Sequence, residues 1–328
     1  MRIGLCTWSF TASHRQAGLR MDPLVPENLA RMAVGNQLAS IECGPGQFAG
    51  RSEAELDGFR ESLAGNGLDL FIDTGWAEGP EDSSALRAAL SLGHRLGARA
   101  VRTTISSLLE GDRRSLGLAG WQGRLQALVE PLRSLMPLAE EWGLPVGLEN
   151  HQDACSWELV WVCERVGSPM LGVTMDVANA LAVGETPEAF ARRVLPYLKH
   201  VHLKDYAVHP TPSGYRLRRC ALGHGVVDWP AMLALFDRGA PSVQGCIELG
   251  ASTARHVRIL EEDYWAAYPP RPLGEVINAL RALQNAARPA AEEWRTPHEQ
   301  GADAATCALY ELRELAASVE YLRGLGPH

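Results

Sequence analysis

Through about residue 249 the chain alternates between two hydrophobic rhythms. Short apolar runs rich in β-branched residues are separated by longer stretches whose apolar positions recur with a helical period. That rhythm belongs to repeated strand–helix units feeding a parallel sheet. Eight runs read as strands: Arg2–Cys6, Ala39–Cys43, Leu68–Asp73, Ala100–Thr104, Pro145–Asn150, Leu171–Asp176, Lys199–Lys204 and Val243–Leu249. Thr186 before Pro187 and Glu188, and Asp228 before Pro230, predict helix starts, and Gly143 predicts a stop. Between Trp121 and Trp142, Leu125, Leu128, Val129, Leu132, Leu135, Met136 and Ala139 share a face. Pro131 and Pro137 interrupt it, which predicts a kinked or two-piece helix.

Eight such units close most economically as a (β/α)8 TIM barrel over residues 1–288, with reactive groups at the carboxyl ends of the strands. An open doubly wound sheet is the alternative, but no GxGxxG follows the first strand. Residues 289–328 read as a C-terminal helical extension rather than an independent domain. It would cover the barrel, donate a lid or form a subunit interface; the pattern does not choose.

Four of the strands end in a side chain able to bind a metal: Glu149, Asp176, His202 and Glu248. A carboxylate at the end of a strand buried on both faces costs several kcal/mol, on the order of a unit-charge desolvation, unless a partner or cation compensates it. Repeated at four strand ends, the arrangement points to a cation. Three hard oxygens and one imidazole favour Mn²⁺, Mg²⁺ or Co²⁺ over a structural zinc.

Composition narrows the partners. With 328 residues, 46% apolar and 21% charged, the chain fits one barrel-sized soluble domain. A formal net charge of −8 and the lack of a Lys/Arg-rich run disfavour a nucleic-acid partner, leaving a small polar molecule. No run is long enough for a membrane span, and an apolar strand follows Arg2 directly, without a leader segment. Seven cysteines without CxxC spacing suit a reduced compartment. A cytoplasmic protein is therefore expected.

Five segments carry a family resemblance: Leu148-Glu149-Asn150-His151, Met175-Asp176-Val177-Ala178-Asn179, Val201-His202-Leu203-Lys204-Asp205, Leu222-Gly223-His224-Gly225 with Asp228, and Ile247-Glu248-Leu249. Together they resemble the xylose-isomerase-like sugar phosphate isomerase/epimerase superfamily, which includes ketose 3-epimerases, inosose dehydratases and apurinic-site endonucleases. The resemblance implies one shared metal, commonly Mn²⁺, on Glu149, Asp176, His202 and Glu248. It also implies that Glu149 and Glu248 act as acid and base on opposite faces of the substrate, and that a homodimer or homotetramer forms. The implied reaction is proton abstraction beside a carbonyl through a metal-stabilised enediolate. A sugar, sugar phosphate or polyol isomerase or epimerase is the first expectation. A lyase or dehydratase acting on a keto-sugar or 3-keto-glycoside is the second.

Departures qualify the match. The 3-epimerases carry a His where Asn179 stands, and the loop often Gly-Glu-Gly in relatives reads Gly223-His224-Gly225. Lys204 is a further catalytic candidate, able to neutralise charge, bind a substrate oxygen or move a proton. Asp205 reads better as a structural cap. Trp8, His151, Asn179, Arg218 and His224 are substrate-binding candidates, four of them with a bland alternative: core packing for Trp8, a supporting contact for His151, a solvated group for Arg218, a plain loop residue for His224. Arg218 lies in the segment His209–Arg219, whose Gly and Pro residues read as a basic covering loop. Glu42 and Arg102 also end strands, with a structural ion pair between them as the simple reading. An apurinic endonuclease needs extra His ligands where Glu42, Asp73 and Asn179 stand, and a non-catalytic barrel has no need of four retained ligands.

Overall fold

A computed structural model describes residues 1–13, 22–75 and 82–326. Eight parallel strands close into a barrel: β1 Ile3–Cys6, β2 Ser40–Cys43, β3 Asp69–Asp73, β4 Ala100–Thr104, β5 Val146–Glu149, β6 Leu171–Asp176, β7 Leu198–Leu203 and, last in the ring, Gly245–Ile247. The last strand pairs with both β1 and β7, so no edge remains. A (β/α)8 barrel is thus the fold. Its outer helices include α1 Pro26–Gly35, α2 Glu53–Gly65, α3 Ser84–Leu96, α4 Gly117–Trp142, α5 Ser156–Val166, α6 Pro187–Val194 and α7 Trp229–Gly239. Thr186 and Asp228 cap α6 and α7 by accepting from the N–H of Ala189 and Ala231. Gly143 ends α4 in the left-handed region at φ 61°. That helix is one piece through Pro131 and Pro137, not two, because its apolar face from Trp121 to Ala139 stays buried against the barrel.

Strand alternation sorts the side chains. Leu5, Ile41, Ile72, Val101, Leu148, Val173, Val201 and Ile247 point outward into the main core beneath the helices. The other parity lines the barrel axis, where Cys6, Phe71, Ala100 and Cys246 form a small separate plug. Glu42, Asp73, Arg102, Glu149, Asp176 and His202 share that parity, all buried. Gly147 sits on the inner face where a Cβ would lie 2.1 Å from Thr174 Oγ1, so the neighbouring strand's approach requires glycine there.

The segment expected to be a basic covering loop is a β-hairpin instead. Strands β8 Asp205–Thr211 and β9 Gly214–Cys220 pair antiparallel. With the Gly245–Ile247 barrel strand numbered β10, β11 Arg255–Val257 adds to β9 as the third strand of this sheet. Pro210 is tolerated because β8 is an edge strand, and Tyr206, Val208, Tyr215 and Leu217 alternate into the core. Helix α8 Leu273–Asn285 docks beside α6 through Arg193 and Glu275, 2.8 Å apart. The C-terminal helix α9 Ala304–Gly324 runs along the barrel flank. Glu311 accepts from the backbone N–H groups of Thr11, Ala12 and Ser13, and Arg323 donates to Asn36 O. Among the described residues no helix is long and apolar enough to cross a membrane.

Candidate metal centre and active site

The carboxyl ends of the barrel strands surround a cavity of about 580 Å³. Trp8, His151, Asn179, Lys204 and Glu248 line it, together with Asp73, Arg102, Gln152 and Tyr206. Glu149, Asp176 and His202 lie just beneath, fully buried. Ligand atoms of Glu149, Asp176, His202 and Glu248 all fall within 4.8 Å of one another, although the residues come from β5, β6, β7 and the end of β10.

The hydrogen bonds around this cluster fix its geometry. His202 is held from two sides: Nε2 lies 2.9 and 3.0 Å from the oxygens of Glu42, while Nδ1 lies 3.1 Å from Glu149 and 3.5 Å from Glu248. Glu42 is also 3.0 Å from His200 Nε2, and the His200 ring stacks on Phe71 with centroids 4.0 Å apart. Glu42 therefore pairs with two imidazoles rather than with Arg102. Arg102 reaches Asp73 at 2.6 Å and ion-pairs with Glu149. Lys204 bridges Asp176 at 2.6 Å and Glu248 at 2.7 Å. Asn150 clasps the ends of β5 and β6, donating to Asp176 O and accepting from Asp176 N. Asn179 donates to Asp176 and accepts from Gln152 and Tyr206.

Negative charge exceeds positive charge here. Glu42, Asp73, Glu149, Asp176 and Glu248 face Arg102, Lys204 and one shared imidazole, leaving a surplus of two negative charges even with His202 protonated. The titrations follow from that surplus. Burial disfavours charge on His202, yet Glu42 and Glu149 outweigh it and raise its pKa well above the usual value. Burial, reinforced by Glu248 and Glu149 against the pull of Lys204, pushes Asp176 up to about 7. Asp73 is likewise pushed up to about 7, by burial and the charge of Glu42 against Arg102. Burial also opposes charge on Glu149, but Arg102 and His202 win and hold it well below the carboxylate range. Protons thus stand in for missing positive charge.

These residues fit a divalent ion. Asp176 Oδ1 is buried with no hydrogen-bond partner among the described residues. Glu42 on Nε2 leaves Nδ1 of His202 turned toward the carboxylates, the carboxylate–histidine–metal arrangement in which the outer carboxylate fixes the tautomer. Two further groupings, Cys6-Glu42-Asp73-His202 and Glu42-His200-Cys246, also bring ligand-type atoms together. In both, Arg102 or the imidazoles already compensate the carboxylates, and burial raises the thiol pKa of Cys6 and Cys246 well above the usual value.

Trp8 is half exposed at the rim. The chain turns directly after Glu149, which brings His151 to the cavity wall; burial lowers its pKa to about 4, so it is neutral at pH 7, and its Nδ1 has no partner among the described residues. Arg218 and His224 are not brought to this cavity. Arg218 faces Glu292 at 3.8 Å across the hairpin, and His224 is exposed beside Arg288. The inward guanidinium of that strand is Arg219, buried against Ser9 O. Asp205 accepts from the N–H groups of Tyr206, Gly223, Gly225 and Val227 and the indole of Trp229, strapping the β9–α7 connection. Sequence reasoning passed over Gln152, Tyr206, Arg124 and Arg255. Inward parity two residues after Lys204 would have flagged Tyr206; Arg255 gave no such signal.

A parallel eight-stranded barrel with a carboxylate-and-histidine cluster at the carboxyl ends of its strands defines a class of barrel proteins. The chain belongs to the xylose isomerase-like TIM barrel family, whose family model matches residues 34–269. A curated relative, the 3-oxo-isoapionate decarboxylase of Pectobacterium atrosepticum, is 26% identical over 241 residues, 71% of this chain and 79% of that protein. Among solved structures, the 3-keto-D-glucoside 4-epimerase YcjR of E. coli superposes with a TM-score of 0.57 at 13% identity, covering 87% of this chain and 99% of its own. The IolI protein, solved with a bound zinc atom, superposes with a TM-score of 0.54 at 14% identity, covering 87% and 96%. The named relatives include enzymes, and one such fold holds a metal.

Proposed function

We propose that this chain is a divalent-metal-dependent enzyme that moves a proton on a carbon beside the carbonyl of a carbohydrate or polyol, as an isomerase or epimerase. The observation that carries the reading is the convergence of Glu149, Asp176, His202 and Glu248, with one oxygen of Asp176 left unpartnered. When bound, a divalent ion, Mn²⁺ in this reading, supplies electron withdrawal that makes the C–H beside a chelated carbonyl acidic. The remaining work falls to the chain's own side chains. Glu149 and Glu248 both approach Nδ1 of His202, at 3.1 and 3.5 Å, and in this reading one takes the proton and the other returns it. Return to the opposite face of the same carbon gives an epimer; return to the neighbouring carbon interconverts aldose and ketose. Lys204 orients Glu248 and donates to a substrate oxygen, His151 and Asn179 bind hydroxyls, and Trp8 borders the sugar ring. A small carbohydrate, a cytoplasmic setting and a homo-oligomer belong to the same proposal, with neither nucleic acid nor membrane as partner.

The relative named as a decarboxylase favours a second reading. A dehydratase would form the carbanion by proton abstraction and expel a leaving group one carbon away, whereas a decarboxylase would form the same enolate by loss of CO₂ and then protonate it. NMR in D₂O separates the two. Protein loaded with Mn²⁺ and given ketoses, inososes and 3-keto-glycosides is expected to place solvent deuterium beside the carbonyl, and a lyase adds an elimination or cleavage product. No exchange with any of these substrates counts against proton transfer. Normal turnover by Glu149→Gln and Glu248→Gln would favour a non-catalytic barrel.

A further inference from the structure

We infer that the substrate of this site carries an oxyanion, a carboxylate or a phosphate, and that Arg124 and Arg255 bind it on the outer side of the cavity. The inference rests on the carbohydrate reading above and specifies the substrate class.

The cavity is electrically lopsided. At its inner end the cations are committed: Arg102 to Asp73 and Glu149, Lys204 to Asp176 and Glu248. Arg124 and Arg255 line the same cavity, both half-buried, and among the described residues neither guanidinium has a carboxylate within ion-pair distance. Arg124 makes one long hydrogen bond, 3.4 Å to Ile105 O. Among other half-buried arginines of this acidic chain, Arg51 pairs with Glu27, Arg114 with Asp112 and Glu261, and Arg193 with Glu185 and Glu275, while Arg216 and Arg271 stack on Trp294 and Trp265 and Arg288 donates to His224 O; Arg124 and Arg255 have neither a carboxylate nor an aromatic face among the described residues. Two unpaired guanidinium groups beside one cavity are accounted for by a ligand that neutralises them.

Both arginines are mounted on firm elements. Arg124 lies one turn after the buried Trp121 of α4, whose indole donates to Glu158. Arg255 lies on β11, held to β9 by pairing with Leu217, and its neighbours are fixed by Glu299 on the N–H of Ala254 and Glu110 on the N–H of His256. A planar guanidinium suits oxyanions because its N–H groups match their geometry two at a time. The charge distribution also orients a substrate: a divalent ion would offset the two surplus negative charges of the inner end, leaving Arg124 and Arg255 as the positive charge that holds the anionic tail while the carbonyl end points inward.

Calorimetric titration of the full chain, with and without Mn²⁺, tests this using D-fructuronate, D-fructose 6-phosphate and D-fructose. These ketohexoses carry a carboxylate, a phosphate or neither. One anionic probe is expected to bind at least about tenfold more tightly than D-fructose, and which one does so identifies the oxyanion. An Arg124→Ala/Arg255→Ala double variant should lose that preference while keeping its metal content and its affinity for D-fructose. Equal binding of charged and neutral probes, no binding of either anion, or a preference that survives in the double variant would overturn the inference. Protein that takes up no Mn²⁺ yet keeps the arginine-dependent preference would instead overturn the metal reading alone.

Discussion

Glu42→Gln isolates the way the barrel orients His202, the histidine of the proposed metal centre. The Glu42 carboxylate receives His202 Nε2 at 2.9 and 3.0 Å and His200 Nε2 at 3.0 Å. Burial opposes its ionisation, but the two imidazoles prevail and hold it below the usual carboxylate range. A glutamine of the same size offers one acceptor oxygen and one amide donor. One imidazole then faces an N–H where it had an oxygen, and if that is His202 its proton is driven to Nδ1, the nitrogen that faces Glu149 and Glu248. Losing one charge-assisted buried hydrogen bond costs about 1.5–3 kcal/mol, which is about a 10- to 100-fold loss in affinity. Outer partners of metal ligands typically show the same range. Calorimetric Mn²⁺ titration of wild type and Glu42→Gln should show weakening of that size with one site per chain retained, and the metal-free melting curve serves as a check on folding. Unchanged Mn²⁺ affinity in a folded variant would refute this role for Glu42.

Two further predictions concern stability. Asp205→Ala strands five donors, three of them buried, so urea unfolding should show a loss of about 3–5 kcal/mol, less than the full sum because water can reach the part-buried ones and enter the vacated space; a loss under about 1 kcal/mol would contradict the strap. Asp153 is buried, receives Ser106 at 2.5 Å, and burial pushes it up to about 7. An acid whose folded pKa exceeds its unfolded value of about 3.9 binds its proton more tightly when folded, so its contribution to stability declines as pH rises from about 4 to about 7 and is level above. Asp153→Asn removes that dependence. Relative to wild type the variant should gain about 3 kcal/mol between pH 5 and pH 8, and a difference independent of pH would show that Asp153 does not titrate this way.

Much of this architecture is legible in the chain itself because strand parity does two jobs. Apart from Lys199 near the start of β7, the outward positions of β5–β7 are apolar and the inward ones end in Glu149, Asp176 and His202, so one pattern marks both the barrel and its charged end. The same parity applied two residues earlier on β7 points to His200. What it cannot supply is pairing between strands: whether Arg102 meets Glu42 or Glu149 depends on the register around the ring. The hairpin was hidden by Pro210, Pro212 and Gly214, residues that usually break a strand but here sit at an edge and a turn. Arg218 and Arg219 illustrate the consequence. Read as loop residues they are equivalent, yet on a strand one faces Glu292 and the other is buried against Ser9. The two cavity arginines come from α4 and β11, elements distant in sequence whose approach no local pattern encodes.

The direct test of a single divalent centre is a metal count. Protein equilibrated with Mn²⁺, freed of unbound ion and analysed by inductively coupled plasma mass spectrometry should retain close to one ion per chain, and a folded Glu149→Gln/Asp176→Asn variant should retain none. Wild type that holds no ion, or a variant that still holds one, would contradict the assignment of Glu149, Asp176, His202 and Glu248 to a shared metal.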